Sequence, residues 1–228
     1  MQRQLTITLD AGTLQGLKDQ DYALYIFAAV RYGPRLTQAR SFGGGYPLVW
    51  SRLETYLTST DVTFDDGLPS AYVSTTPLVE NAVIQVGSSN PTGPGQTVVV
   101  DQYGQLTGLT TGSPGTISIH NTGDTAWSCG LLLPLNQTSM PICAFPLHGG
   151  AMDMIAPTAR ILVMFAINSI PPGSAVSTAY SNGLLIDFSG ETQRAVGFDI
   201  DKGWSAGNAV WARDIPAGSD IGALLITN

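Results

Sequence analysis

Arg160-Ile-Leu-Val-Met-Phe-Ala-Ile167 is the stretch of sequence that decides the fold, because it places seven apolar residues in a row after one arginine. Ala156-Pro-Thr158 precedes the run and Asn168-Ser-Ile-Pro-Pro-Gly173 follows it, so turn-forming residues bound it on both sides. A run of this length is too short to span a membrane and too tightly bounded for an ordinary helix. We therefore predict a β-strand that is buried on both faces.

A second apolar run lies earlier in the chain. Tyr22-Ala-Leu-Tyr-Ile-Phe-Ala-Ala-Val30 has the same density of apolar residues and also contains a Phe-Ala pair. Shorter similarities occur in the same order in both parts of the chain: Leu5–Leu9 with Thr116–His120, Tyr46–Trp50 with Leu184–Phe188, and Val62–Asp65 with Val196–Asp199. The spacing between them drifts by many residues, so the pattern indicates either an old internal duplication or a chance similarity.

Composition indicates many short strands joined by tight turns. The 228 residues include 26 Gly and 14 Pro, and charged residues make up only 12%. Helical periodicity extends over one turn, between Thr13 and Asp21. We therefore predict an all-β fold, an antiparallel β-sandwich, with two similar sandwich halves at residues 1–110 and 111–228 as the preferred form. A single β domain over residues 1–228 is the alternative, and Leu106–Gly115 is the best candidate for a boundary.

The remaining connections and strands follow from the positions of Gly, Pro and apolar residues. Arg31–Gly45 and Gly87–Gly95 are predicted to be surface loops, because they are polar and rich in glycine. Further short strands are predicted at Ala71–Ser74, Val83–Val86 and Thr97–Val100, and a last strand is predicted after Pro216–Ser219.

The net charge of −7 and the isoelectric point near 4.5 argue against a nucleic-acid partner, because the chain has no general attraction to phosphate backbones. Met1–Leu9 alternates polar and apolar residues and lacks the apolar block of a signal peptide. We therefore expect a cytoplasmic protein without a transmembrane segment.

Cys129 and Cys143 are the two cysteines of the chain, and both lie in apolar runs. Their spacing is not that of a Cys-x-x-Cys motif, and no histidine clusters with them, so metal binding is not indicated. Two buried thiols are the preferred prediction, and a cross-strand disulfide in a hairpin is the alternative.

A set of core and turn residues extends over nearly the whole chain: Tyr22, Leu24, Phe27-Ala28, Pro47-Leu-Val-Trp50, Val62, Phe64, Tyr72, Gly95-Gln96, Gly104, Leu106, Leu184, Ile186-Asp-Phe188 and Gly203-Trp204. This set resembles a broad group of uncharacterised microbial proteins, many of them fungal and some bacterial. The resemblance implies an all-β fold. It implies no activity, cofactor or site, because that group has no known activity.

Motifs for catalysis are missing from the sequence. It has no Gly-x-Ser-x-Gly elbow, no phosphate-binding glycine loop with a lysine and no His-Glu-x-x-His. Its two histidines, His120 and His148, lie far apart along the chain, and His148-Gly-Gly150 begins a predicted loop. We predict no enzyme, no catalytic residue and no cofactor, although paired carboxylates brought together by the fold would leave no local pattern.

Asp199, Asp201, Trp204, Asn208 and Trp211 are the predicted ligand-binding residues. Aromatic faces stack on sugar rings, and Asp and Asn side chains hydrogen-bond hydroxyl groups. The alternative is that Trp204 caps the open end of a sandwich. Asp199-Ile-Asp201-Lys-Gly203 also begins like a calcium loop, but the third ligand and the closing Glu are absent, so a hairpin turn is preferred to a metal site.

Three functions remain open from the sequence. The preferred one is a non-enzymatic recognition protein, lectin-like or toxin-like, whose loops bind a glycan or cell-surface ligand. The second is a self-assembling structural or inclusion-type protein, because low charge and positive mean hydropathy favour homo-oligomer interfaces. The third is a pore-forming β protein in which Phe42–Gly45 and Gly87–Gly95 rearrange into hairpins.

Overall fold

The computed structural model describes residues 2–35, 44–65, 69–135 and 138–228. In chain order the elements are β1 (Gln2–Leu9), α1 (Ala11–Asp19), β2 (Ala23–Arg35), β3 (Tyr46–Pro47), β4 (Ser51–Leu53), β5 (Ser59–Asp65), β6 (Ser70–Ser74), β7 (Ser88–Pro91), β8 (Gln96–Val100), β9 (Leu106–Thr111), β10 (Ile117–Asn121), β11 (Trp127–Leu135), β12 (Thr138–Pro141), β13 (Cys143–Leu147), β14 (Met152–Ala166), β15 (Gly183–Asp187), β16 (Gln193–Asp199), β17 (Gly203–Ser205), β18 (Ala212–Ile215), α2 (Ile221–Leu225) and β19 (Ile226–Thr227).

The strands form two mixed sheets. Sheet one has ten strands in the order β17-β16-β1-β5-β11-β13-β3, with β12 and β6 also paired to β11 and β7 paired to β6. Sheet two has nine strands in the order β18-β15-β14-β10-β8-β9, and β2 pairs with β14, β4 and β19. The prediction of an all-β fold is therefore confirmed.

Neither the purely antiparallel arrangement nor the two similar halves are confirmed. Three pairs are parallel: β1 with β16, β8 with β10, and β2 with β19. Strands from before and after residue 110 also lie side by side in both sheets, since β1 pairs with β16 and β2 with β14. The predicted boundary segment Leu106–Gly115 contains β9, which pairs with β8.

Residues 160–166 of the apolar run form the second half of β14, a strand of fifteen residues, and Ile167 lies just beyond its end. β2 pairs along one edge of β14, while β10 and β15 pair along the other. Ile161, Val163 and Phe165 point into the core between the sheets, whereas Leu162, Met164 and Ala166 belong to a second cluster on the outer face of sheet two. The prediction of a strand buried on both faces is confirmed for residues 161–166, whereas Ile167 is exposed.

Two segments that follow β14 in the chain cover the outer face of sheet two. Val176, Ala179, Ile221 and Leu225 all pack in the outer cluster with alternate residues of β2 and β14. Ile221 and Leu225 come from α2, which begins at the N-cap Asp220. A last strand was predicted for this part of the chain, but only its final two residues, β19, are extended.

Other elements also differ from the sequence predictions. α1 has nine residues rather than one turn, because the Asp10 side chain accepts a hydrogen bond from the Thr13 backbone N–H and caps the helix. Val83–Val86 is not a strand and makes only an isolated bridge from Val83, whereas the predicted loop Gly87–Gly95 contains β7. Of the loop proposed to insert into membranes, residues 42 and 43 lie outside the described residues.

Close approach of β11 and β13 requires a glycine at position 130. A Cβ atom there would lie 1.9 Å from the Cys143 carbonyl oxygen and 2.8 Å from the Tyr72 ring. The Tyr72 hydroxyl donates to that same carbonyl oxygen at 2.7 Å. The Tyr72 hydrogen bond therefore joins β6 to β13 beside position 130, where a side chain larger than that of glycine would not fit.

Replacement of Phe165 by Ala should cost about 3–5 kcal/mol of unfolding free energy, because it leaves a cavity in the core between the sheets. The Phe165 ring contacts Tyr56, Phe198 and Trp204 at centroid distances of 5.3, 4.7 and 5.6 Å. Chemical denaturation would measure the loss, with Ile167→Ala as the control because Ile167 is 64% exposed. Equal effects of the two substitutions would contradict a central role for β14.

Candidate binding sites

Asp199 ends β16 and directs the turn into β17. Its Oδ1 atom accepts hydrogen bonds from the backbone N–H groups of Asp201 and Lys202, each at 3.0 Å. The Lys202 ammonium lies 3.1 Å from the other carboxylate oxygen. These hydrogen bonds, with that of the lysine side chain foremost, lower the pKa of Asp199. The prediction of a hairpin turn is confirmed, and the Asp199 carboxylate is used to build it.

Trp204 lies across the end of the core between the sheets. Its ring stacks on Phe165, with planes 14° apart, and packs against Phe198 at a centroid distance of 4.9 Å. The indole N–H donates to the Asn182 carbonyl oxygen at 3.1 Å. The ring is half-buried, so Trp204 both caps the core and presents part of its surface outside it.

Trp211 is held at a different place from Trp204. The guanidinium carbon of Arg194 lies 4.7 Å from its ring centroid, a cation–π geometry. The Trp211 carbonyl oxygen accepts from the backbone N–H of Asp187, at the end of β15, whereas Trp204 is bonded to Asn182, just before β15 begins. The two tryptophans therefore contact opposite ends of β15.

A depression that we call the crossover groove lies where the chain passes from β17, at the edge of sheet one, to β18, at the edge of sheet two. Trp204 and Asn208 line it, whereas Asp199, Asp201 and Trp211 do not. Asn208 is exposed and has a positive φ of 60°, which places it at the tip of the connecting loop. Ser205 and Asp214 complete its polar lining.

Asp214 was not among the predicted site residues. Asp214 lies on β18, three positions after Trp211, and it pairs with Leu184 of β15. Only this strand register brings it to the same groove as Trp204. The adjacent charged residues Arg213 and Asp214 are a weak signal for an exposed edge strand.

A second polar depression lies between two turns, and we call it the Tyr103 depression. The Tyr103 side chain is 74% exposed, and Asp101, Gln102 and residues 122–125 line the space beside it. Asp101 shapes its own turn, because its Oδ1 atom accepts from the backbone N–H groups of Tyr103 and Gln105. Sequence reasoning missed this depression, since its two turns are joined by the parallel pairing of β8 and β10.

A buried polar cluster joins three residues distant in sequence. The Tyr32 hydroxyl donates to Asp153 Oδ1 at 2.8 Å, and the Cys129 thiol donates to Oδ2 at 3.3 Å. Asp153 is only 4% exposed, and burial raises its pKa despite the two donors. Burial likewise raises the pKa of the Cys129 thiol, so the thiolate needed for nucleophilic chemistry is disfavoured.

Both cysteines are free and buried, which confirms the preferred prediction of two thiols. Burial raises the pKa of Cys143 to about 12. His148 is exposed in the turn after β13, and its charge acts on Asp153 by lowering that pKa. His120, on β10, is half-buried opposite Met152.

Two other features are absent from the described ranges. Those residues contain no group of three or more His, Cys, Asp and Glu side chains arranged to hold a metal ion. They also contain no helix long and apolar enough to cross a membrane.

Replacement of Asp153 by Asn should make unfolding free energy less sensitive to pH. A carboxyl whose pKa is raised by folding contributes stability below its unfolded pKa, about 3.9, and that contribution is lost as pH rises through the folded value. The difference in unfolding free energy, Asp153→Asn minus wild type, should therefore increase from pH 3.5 towards pH 7. Denaturant titrations across this range would measure it.

Tyr32→Phe provides the matched test of the same cluster. The Tyr32 hydrogen bond lowers the folded-state pKa of Asp153. Its removal should raise that pKa further, so the loss of unfolding free energy with rising pH should extend to higher pH. A difference between Asp153→Asn and wild type that stays constant with pH would show that Asp153 has the same affinity for protons in both states.

Comparison with known proteins adds no assignment to this geometry. No protein family, no curated protein and no solved structure matches the chain.

Proposed function

We propose that the protein is a recognition protein that binds a hydroxyl-rich ligand, of the glycan class, in the crossover groove. The observation that carries the proposal is the meeting of an indole, a carboxylate, an amide and a hydroxyl group around one open depression: Trp204, Asp214, Asn208 and Ser205. A sugar offers the matching chemistry, because its C–H face packs on an aromatic ring while its hydroxyls pair with polar groups.

The groove is supported by rigid elements on both sides. Trp204 is fixed by the ring of Phe165 and by its hydrogen bond to Asn182, so its exposed part has a defined position. The backbone of Asp214 is positioned by the pairing of β18 with β15. Ligand binding therefore requires little ordering of the Trp204 side chain, which reduces the entropic cost of association.

Asp214→Asn and Asn208→Ala should each weaken retention of a glycan by about 1–3 kcal/mol, because each removes hydrogen bonds to ligand hydroxyls. A glycan array with the wild-type protein would identify the ligand, and calorimetry with that ligand would measure the losses. Asp201→Asn is the matched control, since Asp201 is exposed beside the same hairpin but does not line the groove.

Tyr103→Ala separates the two depressions. Loss of glycan binding in Tyr103→Ala, together with full binding in the groove variants, would assign the ligand to the Tyr103 depression instead. Absence of retention of any glycan by the wild-type protein would contradict the proposed function.

The second candidate, self-assembly, is favoured by the edge strand β9. It ends sheet two, it carries no charged residue, and five of its six residues are exposed. Uncharged edge strands offer unpaired backbone groups to a second copy, whereas charged side chains at an edge oppose such pairing. Gly108, with a φ of 59°, and the register shift at Val98/Val99 distort the edge and restrict the length that can pair.

Leu109→Lys should abolish self-association through β9, because Leu109 is 45% exposed on this edge strand and a lysine there would oppose a second copy. Light scattering after size-exclusion chromatography would compare this variant with wild type. Val210→Lys is the control, because Val210 lies in the connection between β17 and β18, at the other edge of sheet two from β9. A wild-type protein that is monomeric at high concentration would contradict the second candidate.

A further inference from the structure

An apolar cavity of about 240 Å³ lies between the two sheets, away from both surface depressions. Phe64 and Leu133 form its wall on sheet one, and Ala28 and Ile161 form its wall on sheet two. Trp50, which is 1% exposed, closes one side. The rim consists of the exposed lining residues Asp65, Pro94 and Gly115 and the half-buried residues Arg3, Pro157, Thr158 and Ala159.

An irregularity in β14 accounts for the space. Pro157 pairs with Val30 and Ile161 pairs with Ala28, so residues 158–160 stand opposite Ala29 alone. The Thr158 hydroxyl donates to the Ala29 carbonyl oxygen at 2.8 Å, and the Ala159 carbonyl oxygen accepts from Phe188 N–H at 2.8 Å. The extra residues thus leave the ladder with β2, while Arg160 stays paired with Asp187 of β15, as in a β-bulge.

Small side chains keep this space open. Ala28 lies between Ile26 and Val30 among the inward-facing residues of β2, and Ala159 lies at the rim. A larger side chain at either position would extend into the cavity. Protein interiors are normally packed to a density that leaves few voids larger than a water molecule, so a cavity of this size needs an explanation.

The walls favour an aromatic occupant. Trp50 and Phe64 meet edge to face at 5.5 Å, and Phe64 meets Phe188 in the same way at 5.2 Å. The Trp50 N–H donates to the Leu133 carbonyl oxygen at 3.1 Å, so the indole has no donor left for a ligand. An added ring would extend this edge-to-face arrangement, and apolar cavities of comparable size are known to take up benzene-like molecules.

The rim gives no preference for a charged ligand. It carries one cation, Arg3, and one anion, Asp65, and the Arg3 guanidinium already donates to the Phe188 carbonyl oxygen at 2.7 Å. The volume is below that of pockets for drug-sized ligands, which are about 300–1,000 Å³. The occupant must therefore be small as well as uncharged.

From these observations we infer that the cavity is a binding site for a small, uncharged aromatic compound of one or two fused rings. This site is independent of glycan recognition, because it shares no lining residue with the crossover groove. Entry is on the side of the exposed lining residues Asp65, Pro94 and Gly115, and the ring packs against Trp50 and Phe64.

Calorimetric titration of the whole protein with indole tests the inference. Wild type should bind indole with one site per chain, and Ala159→Leu should weaken binding by about tenfold or more, because the added side chain fills the cavity from its rim. Ala223→Leu, on the exposed side of α2, is the matched control and should bind like wild type.

Two further measurements keep the result decisive. Ala28→Leu fills the cavity from the opposite wall and should also weaken indole binding, and circular dichroism would verify that each variant is folded. Indole-3-carboxylate, the charged analogue, should bind more weakly than indole to wild type. Absence of indole binding at millimolar concentration, equal affinity in the folded filling variants, or tighter binding of the carboxylate would overturn the inference.

Discussion

Burial of β14 and β2 on both faces is the constraint on which the rest of this structure depends. A strand that is apolar on both sides needs two separate sets of partners, one on each face of its sheet. Sheet one supplies the first set, through the core between the sheets. The second set comes from residues 176–179 and from α2, which fold over the outer face of sheet two. Residues 176–179 and α2 are thus structural, because they cover apolar surface that water would otherwise contact.

The same pair of strands also positions the candidate sites. Phe165 on β14 supports the ring of Trp204, which forms one wall of the crossover groove. The irregularity between Pro157 and Ile161, in the middle of β14, opens the cavity between the sheets. The crossover groove at one end of the strand and the apolar cavity at its centre therefore rest on the same pair of strands.

Several polar groups inside the core have hydrogen-bond partners from distant strands. Asp153 accepts from Tyr32 and Cys129, Tyr72 donates to the Cys143 carbonyl oxygen, and Trp50 donates to Leu133. Each of these bonds joins segments far apart in sequence, so they specify which strands lie next to one another. Among the acceptors, Asp153 is the ionisable one, and burial raises its pKa although both donors favour the ionised carboxylate.

Sequence alone determined the all-β class of the fold, the double burial of 161–166 and the turn at Asp199, and it favoured two free thiols over a disulfide. These features depend on local composition and spacing: an apolar run with turn residues at its ends, and an Asp whose side chain bonds the backbone two and three residues on. The sequence also grouped Trp204 with Asn208, and both line the crossover groove because they lie close together in the chain.

Only the tertiary structure decided the mixed pairing of the sheets and the membership of the sites. Parallel neighbours such as β1 and β16 are separated by most of the chain, and no local pattern specifies their register. Asp214 joins Trp204 through the pairing of β18 with β15, and the cavity joins Ala28 to Ile161 through a shift in the ladder of β2 and β14. Strand register over long separations is set by how side chains from the whole chain fill one core, and this information is not present in any single stretch of sequence.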